Sequence, residues 1–234
     1  MKNIKLIYIL PNLFTALSVF FGMMSIIASS QEKFEKAFIY IILSFIADGL
    51  DGRVARLTNT SSKFGLEFDS LADIVAFGVA PAMMLFFSIG ENYGKFGALI
   101  TGLFVVFGAI RLARFNVTTL NNDPSVFIGL PIPTAAAVLA SLIMLNLEIN
   151  HILNLVILLF AFLLSILMVS NIRFPSFKKI NLEQNAKLKV LIIIIMLASL
   201  LYLYPIFTLA ITLSGYIAYG VIRWIWSLKK AIKK

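Results

Sequence analysis

Long apolar segments constrain the fold of this chain more than any other feature. A helix needs roughly 17 to 25 residues to cross a hydrocarbon core of about 30 Å, and the sequence offers about eight segments of this kind. With 60% hydrophobic and only 13% charged residues, the 234-residue chain lies outside the usual soluble range. We therefore predict an integral membrane protein whose spans are residues 8–29, 35–56, 66–89, 94–115, 131–147, 151–170, 187–204 and 206–227.

The expected spanning elements are helices. Every backbone polar group in lipid needs a partner within the protein, so only helices and closed barrels cross a membrane, and the period-two alternation of barrel strands is absent here. We predict an all-α fold, a polytopic transmembrane helical bundle of about eight helices. Six or seven crossings are the alternative, because Tyr204 and Pro205 leave almost no loop between the last two spans. Neither a repeat nor a long linker divides the sequence, which predicts one domain over residues 1–234.

The net charge of +9 comes from short basic clusters between apolar segments. Such clusters favour contacts with anionic lipids and argue against a nucleic-acid partner, which would need a basic domain with interleaved aromatic residues. With the N-terminus inside, only Lys33, Lys36 and Lys95 fall outside, which leaves 17 of the 20 basic residues on the inner face. The positive-inside rule therefore predicts a multi-pass cell membrane protein with both termini in the cytoplasm.

One polar stretch, residues 48–73, interrupts the apolar sequence and carries five of its 11 acidic residues. Asp48 and Asp51 are three residues apart, and Asp69 and Asp73 are four apart, so each pair shares one helical face. Two helix ends joined by a short loop can bring the four carboxylates together. Oxygen ligands without His or Cys suit Mg²⁺, Mn²⁺ or Ca²⁺. The alternative is that these acids pair with neighbouring basic residues or line a helix end in water.

Glycines and an arginine accompany these acids. Gly49, Gly52 and Gly65 weaken a helix, which suggests that the backbone approaches a ligand there. Arg56 lies one turn beyond Gly52 on roughly the same face, where its guanidinium can fork onto a phosphate group.

The whole stretch can be written as a pattern of eight fixed residues: Asp48-x-x-Asp51-Gly52-x-x-Ala55-Arg56, eight further residues, then Gly65-x-x-x-Asp69-x-x-x-Asp73. This pattern resembles the signature of the CDP-alcohol phosphatidyltransferases. The resemblance implies a membrane enzyme, expected as a homodimer, that transfers a phosphatidyl group from a CDP-linked lipid to an alcohol and releases CMP. It also implies roles for the aspartates: Asp48, Asp51 and Asp69 hold one or two divalent ions, and Asp73 acts as the base and can also contact metal.

The resemblance extends to residues that would bind the CDP-lipid. Pro11-Asn12-Leu13-Phe14-Thr15 is similar to an N-terminal element of the family, which implies that Asn12 and Thr15 bind the CDP moiety. By the same resemblance, Gly52 and Gly65 would admit the nucleotide and Arg56 would hold its phosphates. A proline in the first turn of a helix with a polar cap is the alternative interpretation of PNLFT.

Three further motifs indicate the acceptor. Residues 111–116 (RLARFN) resemble the serine-transferring branch of the family, as do residues 127–133 (FIGLPIP) and 171–178 (NIRFPSFK). The implied substrates are CDP-diacylglycerol and L-serine. Because serine carries a carboxylate, a cation is needed near Asp73, and either Arg111 or Arg114 can supply it. Snorkelling of both arginines to lipid headgroups is the alternative.

Two other functions remain open at this point. A sister enzyme of the same family would use glycerol 3-phosphate or an inositol phosphate as acceptor. A multipass cation transporter would also place acidic residues at helix ends within the membrane, but it would leave Gly52, Arg56 and Gly65 without a role.

Overall fold

The computed structural model describes residues 9–58, 60, 62–118, 126–149, 152–175 and 184–232. Within these ranges the chain forms eight long helices, a short 3₁₀ helix (Gly90–Tyr93) and two short strands. The helices are α1 (Ile9–Ser30), α2 (Phe34–Leu57), α3 (Lys63–Ser88), α4 (Gly94–Thr118), α5 (Ile132–Glu148), α6 (Asn154–Val169), α7 (Gln184–Leu203) and α8 (Pro205–Ile232), and the strands are β1 (Val126–Ile128) and β2 (Arg173–Pro175).

The predicted all-α bundle is confirmed, since each predicted span corresponds to one helix whose ends differ by a few residues. The predicted starts at residues 8 and 151 lie outside the described residues. Tyr204 is the single residue between α7 and α8, as the sequence indicated, and its N–H still bonds to the carbonyl of Leu200 at 2.8 Å.

The chain is a membrane protein. Among the described residues, four helical stretches are long and apolar enough to cross a bilayer: Ile9–Ser30, Lys63–Ser88, Gly90–Thr118 and Pro205–Ser227. α5, α6 and the part of α7 from Val190 to Leu203 are apolar but shorter. α7 exposes large apolar side chains along its length from Leu191 to Leu203, as expected for a helix in contact with lipid.

Small polar residues join α1 to α2. Thr15, Ser18, Gly22 and Ser25 recur at intervals of three or four and form the buried face of α1. Ser18 and Ser44 exchange hydrogen bonds, because each hydroxyl donates to the other residue's carbonyl, at 3.3 and 3.0 Å. Such residues let two helices approach closely in a membrane and bond across the contact. This seam fixes the position of α1 on α2.

α3 changes its winding in the middle. Its first part, Lys63–Asp73, is α-helical, Ile74–Val79 is π-helical, and the α-helix then continues to Ser88. Pro81 lacks an N–H, and its ring crowds the carbonyl four residues earlier, which favours a wider turn at this place. α1 packs directly on the π segment, since a Cβ atom added to Gly22 would lie 2.8 Å from the Cα atom of Ala76.

β1 and β2 form an antiparallel ribbon in which Phe127 pairs with Phe174. Phe174 is fully buried and packs against Tyr216 of α8, with 5.9 Å between the ring centroids. The Tyr216 hydroxyl donates to the carbonyl of Pro175 at 3.1 Å. The sequence did not predict this ribbon, although the two strands overlap two of the motifs that indicated the acceptor.

Gly22 provides a test of the packing of α1 on α3. We expect Gly22→Ala to destabilise the protein by about 1–3 kcal/mol, because the added methyl group meets backbone atoms that cannot move aside. Gly102→Ala is the matched control, since Gly102 of α4 has open space around its Cα atom and alanine favours a helix. Thermal unfolding in detergent should show a lower Tm for the first variant only; equal Tm values would contradict the close contact.

Candidate active site

The end of α2 and the first half of α3 bring four aspartates together. Carboxylate oxygens of Asp48, Asp51 and Asp69 all lie within 4.8 Å of one another. The carboxyl group of Asp48 is also within hydrogen-bonding reach of both Asp69 and Asp73. The two predicted pairs therefore converge, with three aspartates in one cluster and Asp73 beside it.

The three-aspartate cluster fits a hard divalent cation. Oxygen ligands lie about 2.0–2.6 Å from Mg²⁺ or Ca²⁺, so two ligands of one ion are at most about 5 Å apart. The spacing of the three carboxylates meets this limit. Ionised carboxylates held this close without a cation would repel one another.

Asp51 is the most enclosed of the three, with 7% of its surface exposed. The hydroxyl of Thr15 donates a hydrogen bond to its Oδ2 atom at 2.6 Å. The backbone of Gly52 and the charge of Arg56 also act on this carboxylate. Because Thr15 belongs to the small-residue face of α1, the packing of α1 on α2 holds Asp51 in place.

A cavity of about 230 Å³ adjoins the cluster. All five residues predicted to bind the CDP-lipid line it, together with two of the aspartates: Asn12, Thr15, Gly52, Arg56, Gly65, Asp51 and Asp69. The structure thus brings together the PNLFT element, the α2 half of the signature and the α3 half around one space.

Gly65 leaves room where three elements meet. A Cβ atom at this position would lie 3.2 Å from the Ser62 hydroxyl and 3.3 Å from the Asn12 side-chain oxygen. Ser62 caps α3, because its hydroxyl accepts a hydrogen bond from the Gly65 N–H at 3.0 Å. A larger residue would therefore disturb both the helix start and Asn12.

Sequence reasoning missed two hydroxyl-bearing residues that line the cavity, Thr60 and Ser62. Thr60 is buried, and its hydroxyl lies 2.6 Å from the Thr58 hydroxyl. Both residues belong to the loop between the two halves of the signature, where the pattern fixes no residue. The run of hydroxyl side chains in TNTSS was the signal that could have indicated them.

The two arginines of RLARFN occupy different surroundings. Arg114 donates to four main-chain carbonyl oxygens, those of Val169, Ser170, Met168 and Ile128, at 2.8, 3.0, 3.1 and 3.2 Å. These carbonyls belong to the end of α6, the residue after it and β1, so Arg114 neutralises a helix C-terminus and ties it to the ribbon. The same motif supplies Asn116, whose amide donates to the Ser70 hydroxyl at 2.9 Å and joins α4 to α3.

Arg111 faces the carboxylates instead. Only 6% of its surface is exposed, and its guanidinium carbon lies 5.2 Å from the centroid of the Phe115 ring. The charges of Arg111 and Asp73 interact. Of the two candidate cations for the acceptor, Arg111 is therefore the one that lies near Asp73.

The fold and this site define the class of protein. Residues 8–167 match the family described as CDP-alcohol phosphatidyltransferase, which confirms the resemblance seen in the signature. The chain belongs to the CDP-alcohol phosphatidyltransferase family.

Three individual relatives cover between about three quarters of the chain and nearly all of it. A Helicobacter pylori (strain J99) protein named CDP-diacylglycerol–serine O-phosphatidyltransferase is 50% identical over 231 residues, which cover 97% of this chain and 95% of that protein. A Methanocaldococcus jannaschii protein of the same name is 36% identical over 227 residues, covering 96% and 98%. An archaetidylserine synthase from Methanothermobacter thermautotrophicus is 35% identical over 176 residues, covering 74% and 72%.

Proposed function

We propose that this chain transfers the phosphatidyl group of CDP-diacylglycerol to the hydroxyl group of L-serine in phospholipid biosynthesis, giving phosphatidylserine and CMP. The observation that carries the proposal is the meeting of four aspartates beside the cavity that Asn12, Thr15, Gly52, Arg56 and Gly65 line. Membership of the family supports phosphatidyl transfer. The names of the relatives support serine as the acceptor.

In this proposal, Asp48, Asp51 and Asp69 would hold one or two ions of Mg²⁺ or Mn²⁺, which would bind the diphosphate of the donor. When bound, the cation neutralises charge on the diphosphate and on the leaving CMP. Arg56 forks onto phosphate oxygens from the same side of α2. Asn12 and Thr15 orient the nucleotide, and the small residues Gly52 and Gly65 leave room for it.

Asp73 is the proposed base. It accepts the proton of the serine hydroxyl as the serine oxygen attacks the phosphorus of the phosphatidyl group. The bond from that phosphorus to the CMP oxygen breaks, and CMP leaves with its electron pair. Asp73 suits this role because it lies beside the three-aspartate cluster, near both Asp48 and Arg111.

We further propose that residues 1–234 form one domain, that the enzyme is a homodimer, and that the site opens to the cytoplasm with both termini on the same side. The distribution of the basic residues supports this orientation. Soluble serine and the headgroup of CDP-diacylglycerol would then meet at the inner membrane surface.

Acceptor specificity tests the proposed function directly. We expect purified protein given CDP-diacylglycerol to incorporate labelled serine into lipid and to release CMP in equal amount. A chelator should abolish both, and Mg²⁺ or Mn²⁺ should restore them. Incorporation of glycerol 3-phosphate or an inositol phosphate in place of serine would contradict the proposed acceptor. Metal flux into proteoliposomes without CMP release would contradict the enzyme class and favour a transporter.

The roles of Asp69 and Asp73 are separable by substitution. Asp69→Asn should weaken Mn²⁺ binding, measured by calorimetry, and lower turnover by orders of magnitude. Asp73→Asn should keep Mn²⁺ binding and lower CMP release about 10²- to 10⁴-fold, as loss of a general base does. Glu67→Gln is the matched control, since Glu67 is an exposed acid of the same helix. Loss of Mn²⁺ binding in the Asp73 variant would make Asp73 a metal ligand, and normal turnover of either variant would refute its role.

Single cysteines test the orientation, because the natural chain has none. Lys33→Cys and Lys63→Cys both place a thiol at an exposed position, one after α1 and one at the start of α3. In intact spheroplasts, a membrane-impermeant maleimide should label the first variant, and it should label the second only after lysis. The opposite pattern would invert the proposed topology.

A further inference from the structure

Two buried polar atoms, one on the proposed base and one on the arginine beside it, have no hydrogen-bond partner within the described part of the chain. They are the Oδ1 atom of Asp73 and the Nε atom of Arg111. Leaving a buried polar group without a hydrogen-bond partner is destabilising, and more so for a charged group than for a neutral one. One of these atoms accepts a hydrogen bond and the other donates one. A molecule that carries both a hydroxyl group and an anionic group would satisfy both.

Arg111 is held in place for such a role. Its guanidinium lies over the ring of Phe115 one turn further along α4, and the bond from Asn116 to Ser70 fixes this end of α4 on α3 between Asp69 and Asp73. The side chain is buried, which strengthens its interaction with a carboxylate because few waters compete. Arg114 differs, since main-chain carbonyls already occupy its donors.

We propose that Arg111 binds the carboxylate of the amino-acid acceptor while Asp73 receives the hydroxyl group of the same molecule. This inference rests on the proposed function and adds the residue that selects the acceptor. Serine carries its hydroxyl and carboxylate on adjacent carbons, so one small molecule spans the two unsatisfied atoms. The Arg111 charge and the Asp73 charge interact, so the two side chains are near enough for this.

Rejection of acceptors without a carboxylate follows from the same arrangement. Ethanolamine is serine without the carboxylate, and its binding would leave the buried Nε atom of Arg111 without a hydrogen-bond acceptor. A site whose buried polar groups lose their partners discriminates strongly against the incomplete substrate. Arg111 therefore acts as a specificity-determining residue, in addition to balancing the carboxylate charge.

The test compares serine with ethanolamine in Arg111→Gln and Arg111→Lys. We expect the glutamine variant to lower kcat/KM for serine roughly 10- to 100-fold, the effect of losing a charge-assisted hydrogen bond, mainly through KM. Its kcat/KM for ethanolamine should change little or rise, so the preference for serine collapses. The lysine variant should retain part of that preference, because it keeps the charge without the fork. The KM for CDP-diacylglycerol should stay the same in both.

Two control variants separate this effect from a loss of structure. Arg223→Gln removes an exposed arginine of α8 and should leave the preference unchanged. Arg114→Lys should lower the Tm in detergent and keep the serine-to-ethanolamine ratio, since Arg114 supports α6 and β1. If Arg111→Gln fails to fold, Arg111→Lys carries the comparison.

Several results would overturn the inference. An equal fall for both acceptors would make Arg111 a general counter-ion, and a raised KM for CDP-diacylglycerol alone would assign it to the donor phosphates. An unchanged preference in both Arg111 variants would remove it from the acceptor site. Failure of the proposed function looks different, because the wild-type protein itself would then not transfer to serine.

Discussion

Electrostatic repulsion among four carboxylates at one end of a membrane helical bundle is the constraint on which this structure depends. Three of them lie within 4.8 Å of one another, and the fourth lies beside them. Such a group is tolerated only if some of its carboxyl groups are protonated or positive charge accompanies them. The protein supplies Arg56 on one side and Arg111 on the other, and the spacing of the three suits a divalent cation. The features around this end of the bundle serve to hold these charges at fixed distances.

Ordinary packing interactions and hydrogen bonds hold these charged groups in place. The small-residue face of α1 brings the Thr15 hydroxyl to Asp51, and close packing at Gly22 joins the same helix to the π segment after Asp73. Arg114 secures the far side by tying the end of α6 and β1 to α4. Each of these contacts lies within two helical turns of a charged group of the site. The packing of the bundle therefore also sets the geometry of the site.

The sequence predicted much of this arrangement because its strongest signals are local. The length of the apolar segments predicted the helices. The spacing of the aspartates predicted the two helical faces that converge. The family resemblance predicted that Asn12, Thr15 and Arg56 bind the CDP-lipid, and all three line the cavity beside the aspartates. The ribbon was missed, because Phe127 and Phe174 are far apart in sequence and three-residue strands have no periodicity to detect. The roles of Arg111 and Arg114 were also open, because two arginines one turn apart differ only in the carbonyls or carboxylates that the fold places against them.

The division of the site between helices has an evolutionary consequence. The carboxylate cluster and the cavity beside it are built from the segment that runs from Pro11 to Asp73, whereas Arg111 belongs to α4. On the proposed assignment, donor chemistry and acceptor choice therefore reside in separate, successive stretches of the chain. On that assignment, substitutions in α4 would alter which alcohol is taken while the residues for the CDP-linked lipid stay intact, and this separation would let one ancestral scaffold diversify into enzymes for different headgroups.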